Sequence, residues 1–539
     1  MTQTVCEQPP SGSGLTLGSA LRLVSGITLL SRILGLVRDL ITARIFGDTA
    51  VGSAFAAAFA VPNTFRRLFG EGALAAAFIP EYAGLVDRDP ALAGRFATLT
   101  VGALAVVTGA LTIALELAVW GLLLALPEMG QRSLSLRLVM VTLPFMPLIC
   151  VAATLGGMLQ THGRFGPPAA QPIVLNGLII GACAVAIALG MAPQPAAYLI
   201  GGATVLAGAV QICWSVVALR GLVQWSRAGA GAAEPARRML GRFLPALIGL
   251  GALQLNTLVD TLIAMWPIWI GPSMLGRPVP LDEASQAILF YTQRLYQFPL
   301  GVFGIAVATV VFPALSRQAT DGARFVETLR RGMRLSLFIG LPASTGLMLV
   351  APDAVATLYS GGEHSFSADG VARAGGALIG YSAAVWAYSL NHTLTRAFYA
   401  RGDARTPMRV ALGALLLAII LDLVLIWPLR EAGLAWATAA GAMAQLLALV
   451  ILASRVTGAA LPDRQTLGAT ARIAGAVIIM SAGVLGAGVL APEQPGWSGH
   501  AVRLGLQIGA GAAAYFLGAW ALGCRELRWL LGRRAADSA

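Results

Sequence analysis

Apolar residues along this chain come in long continuous runs separated by short polar connections. Runs of about 20 residues have the length a helix needs to cross the hydrocarbon core of a bilayer. Alternation of apolar and polar positions, the mark of a transmembrane barrel, is missing from them. The pattern predicts about fourteen helices, at 20–46, 51–80, 97–126, 136–161, 167–190, 195–222, 240–270, 285–315, 333–359, 372–400, 406–428, 432–454, 468–491 and 502–523. The expected class is therefore all-α and polytopic, integral to a membrane.

Charge tests that count. With a cytoplasmic N-terminus, the even-numbered connections should be rich in arginine. They hold Arg88 and Arg95, then Arg164, then the run from Arg220 to Arg242. Further on come Arg317 to Arg334, Arg401 to Arg409, and Arg455 and Arg464. The odd-numbered connections carry little beyond Arg132, Arg137, Arg277, Arg373, Arg430 and Arg503. The alternation predicts both termini in the cytoplasm, and one missed span would invert it downstream. It also suggests a parse into a tail (1–19), a first lobe (20–226), a linker (227–242), a second lobe (243–456), two further helices (457–523) and a C-terminal tail (524–539).

Composition agrees with the pattern. Of 539 residues, 57% are hydrophobic and only 12% charged, against about a quarter charged in soluble domains. The net charge is +12, and every one of the 37 basic residues is arginine. Their placement between apolar runs favours a membrane topology signal over nucleic-acid binding. The cysteines Cys6, Cys150, Cys183, Cys213 and Cys524 are dispersed, which suggests neither disulfides nor a metal centre. Residues 1–20 lack the pattern of a cleavable signal segment.

Some charges sit where a bilayer should forbid them. An ion near the membrane centre costs about 2.5–3.5 kcal/mol on insertion scales and usually faces a polar interior. Arg67 and Glu71 are spaced i and i+4 and can pair on one helical face. Arg32 finds its first acid on that face, Asp39, two turns or about 10 Å away. Arg66 and Arg294 have no acid at helical spacing, and Arg38 only adjoins Asp39. Arg44 reads as a helix end. Arg32, Arg38, Arg66 and Arg294 thus suggest a cationic cavity, because guanidinium forks grip phosphate oxygens and stay charged at any relevant pH. Asp39, Pro62, Gly70 and Glu71 are candidate gating or hinge positions. The plainer alternatives are pairing with acids on other helices and close packing through small residues.

The residues that raise these questions also carry a resemblance. The stretch 31–80, SRILGLVRDLITARIFGDTAVGSAFAAAFAVPNTFRRLFGEGALAAAFIP, resembles the opening of the MurJ (MviN) lipid II flippases. So do LQTHGRFGPPAAQPIVLN, QLNTLVDTLIA, QRLYQFPLGVFGIAVATVVFPALSR and RAFYARGDARTP, in that order along the chain. The resemblance implies the fold of the multidrug/oligosaccharidyl-lipid/polysaccharide exporter superfamily. Two six-helix lobes would enclose a central cavity, and two C-terminal helices would form a groove for a lipid tail. It implies a transporter rather than an enzyme, moving the undecaprenyl-pyrophosphate-linked peptidoglycan precursor, lipid II, across the bacterial inner membrane by alternating access.

The family's functional arginines match Arg32, Arg38, Arg66 and Arg294. Asp260 aligns with the acid of a cation site found in some members, and Asp422 is a second candidate there. Coupling would be to membrane potential or to a monovalent cation, and cell-wall synthesis or division proteins are expected partners. Ser53, Gln293 and Gln297 stand where the family often has acids, and 270–287 is longer than usual. Rival readings are an exporter of drugs or another lipid-linked oligosaccharide, and a polyprenyl-phosphate enzyme. The enzyme is disfavoured because the closest acid pairs, Asp87/Asp89 and Asp282/Glu283, fall in connections.

Overall fold

A computed structural model describes residues 17–66, 73–127, 130–226, 231–301, 305–362, 364–491 and 496–530. In chain order the elements are α1 Leu17–Phe46, α2 Ala50–Phe65, α3 Ala73–Val86, α4 Pro90–Ala125, α5 Gly130–Thr142, α6 Phe145–Thr161, α7 Gly166–Ala188, α8 Pro193–Leu219 and α9 Ala233–Ala264. The short helix α10 Trp266–Trp269 leads into a hairpin of β1 Ser273–Met274 and β2 Arg277–Pro278. Then come α11 Ser285–Pro299, α12 Ile305–Arg317, α13 Gly322–Tyr359, α14 Ala368–Ser382, α15 Val385–Ala400, α16 Arg405–Leu429, α17 Glu431–Thr457, α18 Arg464–Leu490, α19 Trp497–Ala521 and α20 Arg525–Leu530.

Every expected span overlaps a helix. Among the described residues, nine helical stretches are long and apolar enough to cross a membrane by length and composition. Two expected single helices are instead each built from two. In 136–161 the break falls at Pro144, which lacks the N–H that would continue the ladder from α5 into α6. In 372–400 it falls between Ser382 and Val385, with no proline present. There the Ser344 hydroxyl of α13 donates to the Ser382 carbonyl, which competes with the helical ladder. Spans 51–80 and 285–315 contain α2 with α3 and α11 with α12, and their middles, 67–72 and 302–304, lie outside the described residues. Pro62 does not interrupt its helix, because α2 continues through it to Phe65.

The chain forms two compact units. The first comprises Met1–Arg38, Val61–Leu126 and Met140–Leu250; the second comprises Asp39–Ala60, Pro127–Val139 and Gly251–Ala539. This differs from the expected lobes. The second half of the expected linker is already helix α9, and 39–60 and 127–139 belong with the later part of the chain. Hydrogen bonds show why. Ser53 Oγ accepts from the Ala287 amide at 3.0 Å, and Asp48 accepts from the Ser367 amide at 2.8 Å. Buried Arg132 donates to the Ile268 and Ile270 carbonyls at 3.3 Å each.

In the first unit α6 and α8 pack together, with α3 and α4 on α6 and α7 on α8. Phe78 stacks between Tyr82 and Phe96 in its interior. In the second unit α13, 38 residues and therefore about 57 Å long, is the central post. It packs against α14, α15, α18 and α19. Leu329, Met333 and Leu337, on one face of α13, share a core with Leu390, Leu394, Leu449 and Ile473.

Candidate functional site

The first unit holds Arg32, Arg38 and Arg66. Arg38 Nη1 donates to Asn176 Oδ1 of α7 at 2.9 Å, and Asn176 Nδ2 donates onward to the Ser31 carbonyl at 3.1 Å. Asn176 is buried and so fixes the Arg38 fork to α7 through a neutral partner. Arg66 Nε donates to Asn63 Oδ1 at 2.9 Å, one turn back along the chain. Half-buried Arg32 makes no hydrogen bond or ion pair with any described residue. Amide oxygens orient the Arg38 and Arg66 guanidinium groups. Gly70 and Glu71, two candidate gating positions, lie outside the described residues.

The second unit holds Arg294, which has no acid at helical spacing on its own helix but pairs with one from another. Arg294 Nε lies 3.6 Å from Asp39 Oδ2, so α1 supplies an acid that helical spacing within α11 could not reveal. The Arg294 guanidinium also lies over the Phe290 ring, 4.7 Å from its centroid. Phe290 is one turn earlier on the same helix, so α11 carries its own platform for this cation. Next along the chain, Gln293 Nε2 donates to the Tyr381 hydroxyl at 2.9 Å. Gln293 and Ser53, where acids were noted as missing, therefore serve as hydrogen-bonding tethers.

Asp260 of α9 and Asp422 of α16 come together, 162 residues apart in sequence and both buried, at 3% and 0% exposure. Asn256 Nδ2 donates to Asp260 Oδ2 at 3.3 Å. Asp260 Oδ1 and both Asp422 oxygens have no hydrogen-bond donor among the described residues. Two buried carboxyl groups facing each other require a proton or a cation between them. Orphaned carboxylate oxygens are hard ligands and fit a hard cation. No group of three or more His, Cys, Asp or Glu residues suited to a metal occurs among the described residues.

A further cluster escaped sequence reasoning. Arg373 of α14 donates to both oxygens of Asp282, at 2.8 and 2.7 Å, to Asp369 at 3.2 Å, and to Glu431 of α17. Arg430 joins Asp282 at 2.9 Å and the Pro280 carbonyl at 3.0 Å. These residues lie in connections or at helix ends, where sequence reading counted Arg373 and Arg430 only toward topology.

The sequence profile described as "Lipid II flippase MurJ" matches residues 42–502. The chain belongs to the lipid II flippase MurJ family. The "Probable lipid II flippase MurJ" of Vibrio cholerae serotype O1 is 32% identical over 523 residues, covering 93% of this chain and 95% of that protein. The "Lipid II flippase MurJ" of Burkholderia cenocepacia is 29% identical over 485 residues, covering 87% and 89%. Among solved structures, a lipid II flippase MurJ in an inward closed conformation aligns with a TM-score of 0.76 at 23% identity, over 94% of this chain and 99% of that one. An inward-facing multidrug resistance MATE family transporter of the MOP superfamily aligns with a TM-score of 0.65 at 15% identity, over 81% and 98%. The MurJ family thus has the fold expected here, and the chain is a polytopic inner-membrane protein.

Proposed function

We propose that this protein is a lipid II flippase, a transporter that moves the undecaprenyl-pyrophosphate-linked peptidoglycan precursor from the cytoplasmic to the periplasmic leaflet by alternating access. The observation that carries this reading is the family match over residues 42–502. The chemistry of the chain supports it. Arg32, Arg38 and Arg66 bring three cations to the first unit, two of them held by amide oxygens. They and Arg294 are the proposed substrate-binding residues. A pyrophosphate offers the bidentate acceptors that guanidinium forks favour.

The Asp39–Arg294 pair gives that arginine a resting partner that a phosphate can displace. Asp260 and Asp422 are the proposed site for a monovalent coupling cation, which supplies charge that neutralises the buried pair. Membrane potential adds about 2.3 kcal/mol per charge per 100 mV as a driving force. The arginine alternation favours both termini in the cytoplasm, and cell-wall synthesis or division proteins are the expected protein partners. The fold shared with a MOP-superfamily drug transporter leaves other cargoes as the rival reading.

Depletion rescue tests the proposal. The gene is expressed in cells losing their own flippase, alone and with each Arg→Ala change at 32, 38, 66 and 294. A charge-assisted hydrogen bond is worth about 1.5–3 kcal/mol, so each loss should weaken binding about tenfold or more and compromise growth. Full rescue by all four variants at normal membrane abundance refutes the arginine mechanism.

A further inference from the structure

Asn176 of α7 reaches α1 at two places. Its Oδ1 accepts from Arg38 Nη1 at 2.9 Å, and its Nδ2 donates to the Ser31 carbonyl at 3.1 Å. Between these anchors the amide lies against Gly35, where an added Cβ would sit 3.5 Å from Nδ2. Residues 31, 35 and 38 are spaced i, i+4 and i+7, so all three lie on one face of α1. Asn176 is 5% exposed, and Leu175 and Ile179 of the same helix are also buried. The bridge is therefore made away from water, where a hydrogen bond is stronger. Ser31, Gly35, Arg38 and all of α7 belong to the first unit.

The chemistry of the two anchors selects the residue. A guanidinium only donates and a backbone carbonyl only accepts, so a side chain bridging them must offer one acceptor and one donor. Asn does so with the two ends of its amide, and the anchors fix which end faces which. An aspartate would keep the bond to Arg38 but turn a second acceptor toward the Ser31 carbonyl. It would also set a full negative charge against the guanidinium, in direct competition with a phosphate. Leucine, similar in size, would leave both anchors without their bridge. The amide instead holds Arg38 by a dipole. An arginine held in place beforehand need not be ordered when the anion binds.

We propose that Asn176 is a positioning residue that fixes Arg38 between α1 and α7 for contact with a phosphate, while adding no negative charge of its own. The inference rests on the reading of Arg38 as a pyrophosphate ligand.

The test uses the full-length protein in nanodiscs, with undecaprenyl pyrophosphate as the probe and its affinity as the readout. Asn176→Leu frees Arg38 and should weaken binding about two- to tenfold, the ordering cost of one long side chain. Asn176→Asp adds a competing charge and should weaken it about tenfold or more, the range for a charge-assisted hydrogen bond. Arg38→Ala should weaken it by a similar factor. The deciding measurement is a double-mutant cycle. In an Arg38→Ala background, Asn176→Leu should have no further effect, because no guanidinium is left to place. In an Arg66→Ala background its effect should persist in full, because Arg66 takes Asn63, one turn back along the chain, as its amide partner.

If Arg38→Ala loses affinity while both Asn176 variants bind like wild type, Arg38 is a ligand and the positioning role is wrong. If the loss from Asn176→Leu multiplies equally with Arg38→Ala and with Arg66→Ala, Asn176 is a general support of the first unit and the proposal is overturned. If Arg38→Ala binds like wild type, the reading of Arg38 as a pyrophosphate ligand fails and takes the proposal with it.

Discussion

Arg373 shares its guanidinium among Asp282, Asp369 and Glu431, with Glu431 only 2% exposed at its side chain. Removing Arg373 would leave buried Glu431 with only the Ser285 hydroxyl and Arg430, 4.0 Å away, as partners among the described residues. Breaking such a pair costs about 3–5 kcal/mol, so Arg373→Ala should lower the melting temperature of the solubilised protein by several degrees in a thermal-shift assay. Burial pushes the Asp282 carboxyl up, but the Arg373 hydrogen bond and charge, the Ala284 amide and Arg430 outweigh it. The net result is a value below the usual 3.8. A carboxyl lowered in the folded state stabilises above its unfolded value, and that contribution fades as pH falls through the folded one. Asp282→Asn should therefore melt earlier than wild type at pH 7, and the gap should close below about pH 4. A gap that persists at low pH would show that Asp282 acts through shape, not charge.

The same scale explains what the sequence disclosed about the site. An intramembrane arginine is conspicuous from composition alone, so Arg32, Arg38, Arg66 and Arg294 were legible. Their neighbours were legible only within helical reach. Asn63 is three residues from Arg66 and could have been found by asking for amides as well as acids. Asn176 is 138 residues from Arg38, and Asp39 reaches Arg294 from another helix, so only tertiary packing reveals them.

At the scale of elements, hydropathy located the helices because long apolar runs leave few alternatives. It could not locate the break between α14 and α15, since that depends on a serine 38 residues away. Nor did it anticipate the hairpin in the long connection after α9, where Leu275 and Gly276 both adopt positive φ between β1 and β2. The tightest helix junction is also invisible in the run of hydrophobicity. Gly433 lies so close to the end of α16 that a Cβ there would sit 2.3 Å from the Leu425 carbonyl oxygen. That neighbour is backbone and cannot swing aside. Gly433→Ala should therefore cost about 1–3 kcal/mol, the usual range for overpacking. Gly413→Ala in α16, with nothing within 4 Å of the added carbon, should be neutral or slightly stabilising. Equal melting temperatures for the two variants would show that the junction yields freely.

For the whole molecule, the arginine alternation makes a prediction that helix length alone does not. Between Leu275 and Ala404 the chain contains three expected spans: 285–315, 333–359 and 372–400. Among the described residues, only the middle one, within α13, is a single helix long and apolar enough to cross by length and composition. The last is made of two shorter helices, α14 and α15, and the first contains α11 and α12, with 302–304 outside the described residues. If all three cross, Leu275 and Ala404 lie on opposite sides of the membrane. If the α14/α15 pair enters and returns on the same side, they share a side. The arginine-rich connection at 401–409 favours crossing, because short basic loops stay in the cytoplasm. Both positions are exposed, so single cysteines there can report, in a background with the five native cysteines replaced. In intact spheroplasts, a membrane-impermeant maleimide should label Leu275→Cys at once. It should label Ala404→Cys only after permeabilisation. Labelling of both from outside, or of neither, would mean that one of the three spans does not cross. The topology downstream of it would then invert.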